Sequence, residues 1–133
     1  MDYSEFTGEV QHRIDVGTQA QAVKTTRAVL SSLGERVQTD EAADLAGPLP
    51  MEIDRFLTEA DSGQRFGYDE FVNRVADRAD VEESEAAYRA KAVTALVADL
   101  DPAGEIEDVE DGLPDEFQDL FEFTSLDEDE TPW

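Results

Sequence analysis

Residues 99–110, DLDPAGEIEDVE, come nearer than any other stretch of this chain to a motif with chemistry of its own. Laid over the loop of a calcium-binding helix–loop–helix, they put Asp99 at position 1, Asp101 at position 3 and Gly104 at the sharp turn. Glu110 then falls at position 12, where a bidentate carboxylate belongs. Hard cations such as Ca²⁺ and Mg²⁺ bind through several oxygens, so Asp99, Asp101 and Glu110 are the candidate metal ligands. The fit has gaps. Ala103 brings no side-chain oxygen to position 5, and Pro102 stiffens position 4. In so acidic a chain a structural acidic loop is the competing reading.

Other reactive constellations are thinner. His12 is the only histidine and lies off the apolar stripe of its helix, which suits a surface imidazole better than a general base. There is no cysteine, so disulfides, thiolate metal sites and thiol nucleophiles are excluded. Tyr68 and Tyr88 have acids nearby, but aromatics at helical spacing usually serve a core. With 34 Asp and Glu in 133 residues, a carboxylate pair can be drawn almost anywhere and carries no information. No glycine-rich phosphate loop, nucleophile elbow or metal-binding histidine pair is present. The sequence predicts no enzyme and no cofactor, a Ca²⁺ or Mg²⁺ at 99–110 excepted.

The end of the chain, FEFTSLDEDETPW (121–133), offers chemistry of another kind. Phe123, Leu126 and Trp133 alternate with acids, as in segments that dock aromatic anchors into a basic groove, and they are the candidate partner-binding residues. The alternative is an end whose aromatics fold back on the preceding helix.

Charge bounds the partners. Ten basic residues stand against the 34 acids, for a net of −24. Only Lys24 and Lys91 are lysines, and the acids spread over expected helix surfaces. This is the composition of proteins from salt-accumulating extreme halophiles, archaeal ones in particular, where molar salt shortens screening to roughly 3 Å. Much of the charge is then an answer to solvent. It is nevertheless uneven: residues 1–66 carry 12 acids and 6 bases, residues 67–133 carry 22 and 4. After Lys91 no base follows, while fifteen acids do, from Asp99 to Glu130. The arginines are scattered among acids without a basic stripe, so nucleic acid is not an expected partner. No apolar run approaches the roughly 20 residues of a membrane span, and the acidic start MDYSEFTGEV is not a signal peptide. The expectation is a cytoplasmic protein, with a monomer slightly favoured.

Helical periodicity runs almost throughout. Tyr3, Phe6, Val10 and Ile14 form one stripe behind Asp2 and Glu5, a capping box. Thr18 can cap a second helix carrying Ala22, Val29, Leu30 and Leu33, with Gly34 to end it. A short third helix reaches Leu45, and Pro50 suits the first turn of a fourth. DSGQRFG (61–67) reads as a linker. The pattern then restarts: YDEFVNRVADRADV (68–81) lies over YSEFTGEVQHRIDV (3–16) at a constant shift of 65. The match includes Arg13 with Arg78 and Asp15 with Asp80, and suggests repeat-stabilising ion pairs between the modules. The second PLPMEIDRFL (48–57) is GLPDEFQDLF (112–121). The predicted fold is all-α, eight helices as two pseudo-equivalent four-helix repeats packed into one compact unit, with repeats at 1–60 and 68–122, linker 61–67 and tail 123–133.

The opening YSEFTGEV, the stretch AVLSSLGERV (28–37), DEAADLAGPLP (40–50) and the echo YDEF…GLP…LF resemble the family called domain of unknown function 2267. The resemblance spans residues 3 to about 121. It implies small all-helical tandem repeats and no assigned reaction, cofactor or catalytic residue. Two departures stand out. Pro48 precedes Leu-Pro where the family more often has a polar residue, and the alanine-rich third helix of the first repeat has become GEIEDVED in the second. Exchanging alanines for acids predicts that this segment no longer packs as its counterpart does. The reading is a non-enzymatic helical interaction module whose protein partner meets the acidic second half and the tail, with Phe123 and Trp133 at least partly exposed. A divalent-cation binder using residues 99–110 is the alternative.

Overall fold

The computed structural model describes the backbone of residues 1–133 and every side chain except that of Glu128. The fold is all-α. Seven α-helices run in order: α1 (Tyr3–Ile14), α2 (Gln19–Arg36), α3 (Thr39–Ala46), α4 (Ile53–Thr58), α5 (Tyr68–Ala79), α6 (Glu83–Asp99) and α7 (Glu105–Gly112). The eighth main helix, Asp115–Phe121, is of the 3-10 type, and a short 3-10 turn follows at Glu128–Glu130.

Local chemistry sets the starts of the first two helices. The Asp2 side chain accepts from the Glu5 N–H while Glu5 accepts from the Asp2 N–H, closing a capping box. Thr18 and Gln21 do the same for α2. At the far ends of α1 and α5, Asp15 and Asp80 take left-handed backbone conformations, φ 57° and 59°. Aspartate is among the few residues other than glycine that tolerate this. These acids end helices; neither joins an ion pair with Arg13 or Arg78.

The long helices α2 and α6 lie at the centre. Helix α2 packs on α1, α4, α5 and α6, while α6 packs on α5, α1, α7 and the 115–121 helix. One apolar cluster runs through both halves, from Phe6, Val10 and Leu33 to Phe71, Val97 and Phe117. Tyr68, Phe71 and Phe117 meet as a ring cluster with centroids 5.6–6.1 Å apart, which seats the 3-10 helix on α5. The 61–67 linker returns along the end of α2, where Gly63 and Gln64 N–H groups donate to the Val37 and Glu35 carbonyls.

Three expectations need correction. Pro50 is not helical: Leu49–Glu52 forms a turn, Glu52 has φ 81°, and α4 begins at Ile53. Pro114 stands just ahead of its helix instead, and its carbonyl accepts from Phe117 N–H. Leu49 and Leu113 are both buried behind their prolines. The segment GEIEDVED is a helix after all. Asp101 accepts from the Ile106 N–H at 2.7 Å, first-turn acids favour the helix dipole, and Ile106 and Val109 are buried. Helix α7 packs on the 115–121 helix, as α3 packs on α4, so the acids did not unseat it.

Gly34, finally, does not end α2, which continues to Arg36. Its hydrogen lets α4 approach: a Cβ there would stand 2.6 Å from the Leu57 carbonyl oxygen and 2.8 Å from the Ala60 Cβ. Gly34→Ala should therefore push α4 off α2 and cost about 1–3 kcal/mol, despite alanine's better helix propensity. A urea melt checks this; an unchanged or raised midpoint would contradict the close packing.

Candidate functional site

Three arginines pair with acids across the two halves. Arg78 on α5 crosses to α2, where its guanidinium donates to both Glu35 carboxylate oxygens at 2.7 and 2.9 Å and to the Ser32 hydroxyl at 3.0 Å. Arg74 joins the same carboxylate at 3.1 Å and covers the Phe66 ring at 3.9 Å. Hydrogen bonding from Arg78 is the first cause that holds the Glu35 carboxyl below its ordinary range, against partial burial. On the other side, Arg13 of α1 crosses to α6 and pairs with Asp99 at 2.8 Å, with Glu9 behind it at 3.0 Å. The Tyr88 hydroxyl donates to the Arg13 carbonyl at 2.7 Å and ties α6 to the same turn.

The three sequence-predicted metal ligands take separate places in this arrangement. Asp99 is held by Arg13, Asp101 caps α7, and Glu110 lies near the end of α7. Among the described residues no three His, Cys, Asp or Glu side chains are grouped as a metal site would need. Acids do crowd where α7 meets α3: partial loss of solvent, then Asp44, Asp108 and Asp101, push the Glu105 carboxyl up. Tyr68, considered above for proton chemistry, has its phenol pushed up to about 12, by burial first and then by Asp119, Glu122 and Asp69.

The tail lies folded back on α1 and α6. Phe123 meets the Tyr88 ring edge-on at 5.8 Å and the Trp133 ring at 5.8 Å. The Arg13 guanidinium stands 4.4 Å from the Trp133 ring, and the Lys91 ammonium 5.7 Å from the Phe123 ring. Lys91 also pairs with Glu122 at 2.7 Å. Phe123, Leu126 and Trp133 are all half-buried, and with His12, Arg13 and Ala95 they wall one groove.

A second groove of about 830 Å³ opens along α2 on the first half, with Tyr3, Lys24, Arg27, Ser31 and Arg78 among its walls. It continues past Arg27 toward Arg55 and Phe56 on α4, where Glu52 and Glu59 also line it. Reading the bases one at a time misses this surface. The available signal is that α2 holds no acid from Gln19 to Gly34, in a chain where one residue in four is acidic.

The family model for the uncharacterized conserved protein DUF2267 matches residues 3–120. The chain belongs to the DUF2267 family. No curated protein matches it. The DUF2267 match takes in all seven α-helices and the three arginine crossings, and stops before the tail aromatics Phe123, Leu126 and Trp133. No helix among the described residues is long and apolar enough to cross a membrane.

Because the folded-state carboxyl of Glu35 is depressed, its contribution is present at neutral pH and fades as pH falls through the ordinary carboxylate range toward its lowered value. Glu35→Gln should lower stability by about 1–2 kcal/mol at pH 7, and the deficit should shrink toward pH 3. Urea melts of both proteins at the two pH values check this. A deficit that persists at pH 3 would assign the loss to packing.

Proposed function

We propose that this DUF2267 chain is a non-enzymatic helical interaction module, built as a tandem duplication, that works in a salt-rich cytoplasm and meets a protein partner through its acidic second half and tail. Several matched features support the duplication. Helices α1 and α5 are 12 residues each at a shift of 65, and each ends on a left-handed aspartate. Arg13 and Arg78 each cross to the other half's long helix. The contacts of α1 with α2, of α2 with α4 and of α3 with α4 recur as α5 with α6, α6 with the 115–121 helix and α7 with that helix.

The observation that carries the interaction reading is the seating of the tail. Its three anchors line a surface groove, half-buried, with Trp133 packed against the edge of the core. Ring–ring and cation–ring contacts of this exposed kind contribute about 0.5–1.5 kcal/mol each, and ordering the tail costs a similar amount per residue. A segment so held can exchange its intramolecular seat for a partner's basic, apolar groove. The acids that surround the anchors would steer such a partner.

Two measurements test the proposal. Deleting residues 123–133 should leave a cooperative melt, shift the midpoint by only a few degrees and abolish capture of the partner from host extract at native salt. Trp133→Ala should weaken that capture. Loss of the cooperative melt on deletion would make the tail structural. Separately, the melting temperature should rise by several degrees between about 50 mM and about 2 M potassium chloride, as self-repulsion is screened. A flat profile would count against a salt-adapted protein.

A further inference from the structure

The basic face of α2 is the feature that net charge and the tail's role leave unexplained. Lys24 and Arg27 are exposed and, unlike Arg13, Arg74, Arg78, Arg89 and Lys91, have no acidic partner among the described residues. An acid-rich chain could neutralise them by placing an acid one turn away. Instead positions three and four residues from each hold none: Ala20, Gln21 and Ala28 around Lys24, and Val23, Leu30 and Ser31 around Arg27.

The chain itself shows what such a groove accepts. Counting back from Glu35, which Arg78 grips, the residues 4, 8 and 11 places earlier are Ser31, Arg27 and Lys24, and all three line the open groove. Counting back from Asp99, which Arg13 grips, the same steps reach Ala95, Lys91 and Tyr88. These are the residues on which the tail lies. Lys91 takes the Glu122 carboxylate and faces Phe123, Tyr88 meets the Phe123 ring, and Arg13 faces the Trp133 indole. The α2 groove thus repeats the two cations of the tail's seat, Arg27 for Lys91 and Arg78 for Arg13. It replaces the tyrosine by a third, Lys24, and a hydroxyl, Ser31, stands in place of the Ala95 methyl.

We propose that the groove along α2, lined by Lys24, Arg27, Ser31 and Arg78, binds an acidic segment bearing aromatic side chains on a partner protein. A carboxylate would pair with Arg27 and Lys24. An aromatic ring would lie against the Arg78 guanidinium, which Glu35 and Ser32 hold in one orientation. The site is separate from the tail's own seat, so it stands whether or not the tail engages a partner.

The probe is a fluorescent peptide with the sequence of residues 121–133, titrated into the full-length protein at moderate salt and followed by anisotropy. Saturable binding should weaken at least tenfold in Lys24→Glu and in Arg27→Glu, both exposed positions whose melts should match the parent protein. It should also weaken at least tenfold when the peptide's two phenylalanines and its tryptophan are replaced by alanine, which leaves its charge intact. Lys91→Glu, which disrupts only the tail's seat, should not weaken it. Equal binding of the alanine peptide would reduce the effect to charge attraction and overturn the proposal. So would loss of binding in Lys91→Glu alone, which means exchange with the resident tail. Tighter binding of a single-stranded oligonucleotide would assign the groove to nucleic acid. A concentration-dependent dimer in sedimentation, abolished by Arg27→Glu, would assign it to the tail of a second copy.

Discussion

The packing of α5 on α2, and of α1 on α6, is the contact on which the rest of the molecule depends. Each half offers a long helix that its own short helices cover only in part. Val29, Leu30 and Leu33 on α2, and Val93, Leu96 and Val97 on α6, are fully buried on helices that pack both within their own half and against a helix of the other. A half of some 60 residues would be marginal alone, and sharing one core removes that limit. The linker's hydrogen bonds to the end of α2 hold the second half where this closure occurs.

Charge is arranged around that constraint. Among the described residues five of the ten bases are drawn into ion pairs, and three of those pairs, Arg13–Asp99, Arg74–Glu35 and Arg78–Glu35, bridge the halves. Arg78 is the firmest of these bridging bases, with a bidentate carboxylate and a buried serine behind it. Asp99, its partner's acid on the other side, is more than half exposed, so the Arg13 pair is weaker and leaves the guanidinium face for the tryptophan ring. Acids without a base collect where α3 meets α7, at some distance in the chain from the acid-free run of α2.

The sequence shows the helices because burial follows the periodic pattern: Tyr3, Phe6, Val10 and Ile14 do form one inward stripe. It shows less wherever a residue type has two uses. Gly34 reads as a helix end, but its missing Cβ serves close packing with Leu57. Pro50 reads as a helix start, yet Glu52 adopts a positive φ and delays the helix by a turn. Arg13 and Arg78 do pair between the modules, but with Asp99 and Glu35, far along the chain, and not with the nearby Asp15 and Asp80. Long-range pairing of this sort leaves no local trace. The basic groove did leave one, the acid-free run of α2, which is visible only when the absence of a residue type is read as a signal.

Trp133 is the only tryptophan in the chain, and the structure puts its indole against a cationic side chain and the edge of Phe123. The protein therefore carries an intrinsic optical reporter of one event, the seating of its last residues. Release of the tail would move the indole into water and shift its emission to the red, while the helical circular dichroism of the bundle stayed the same. Occupancy of that seat can be followed in solution without any label.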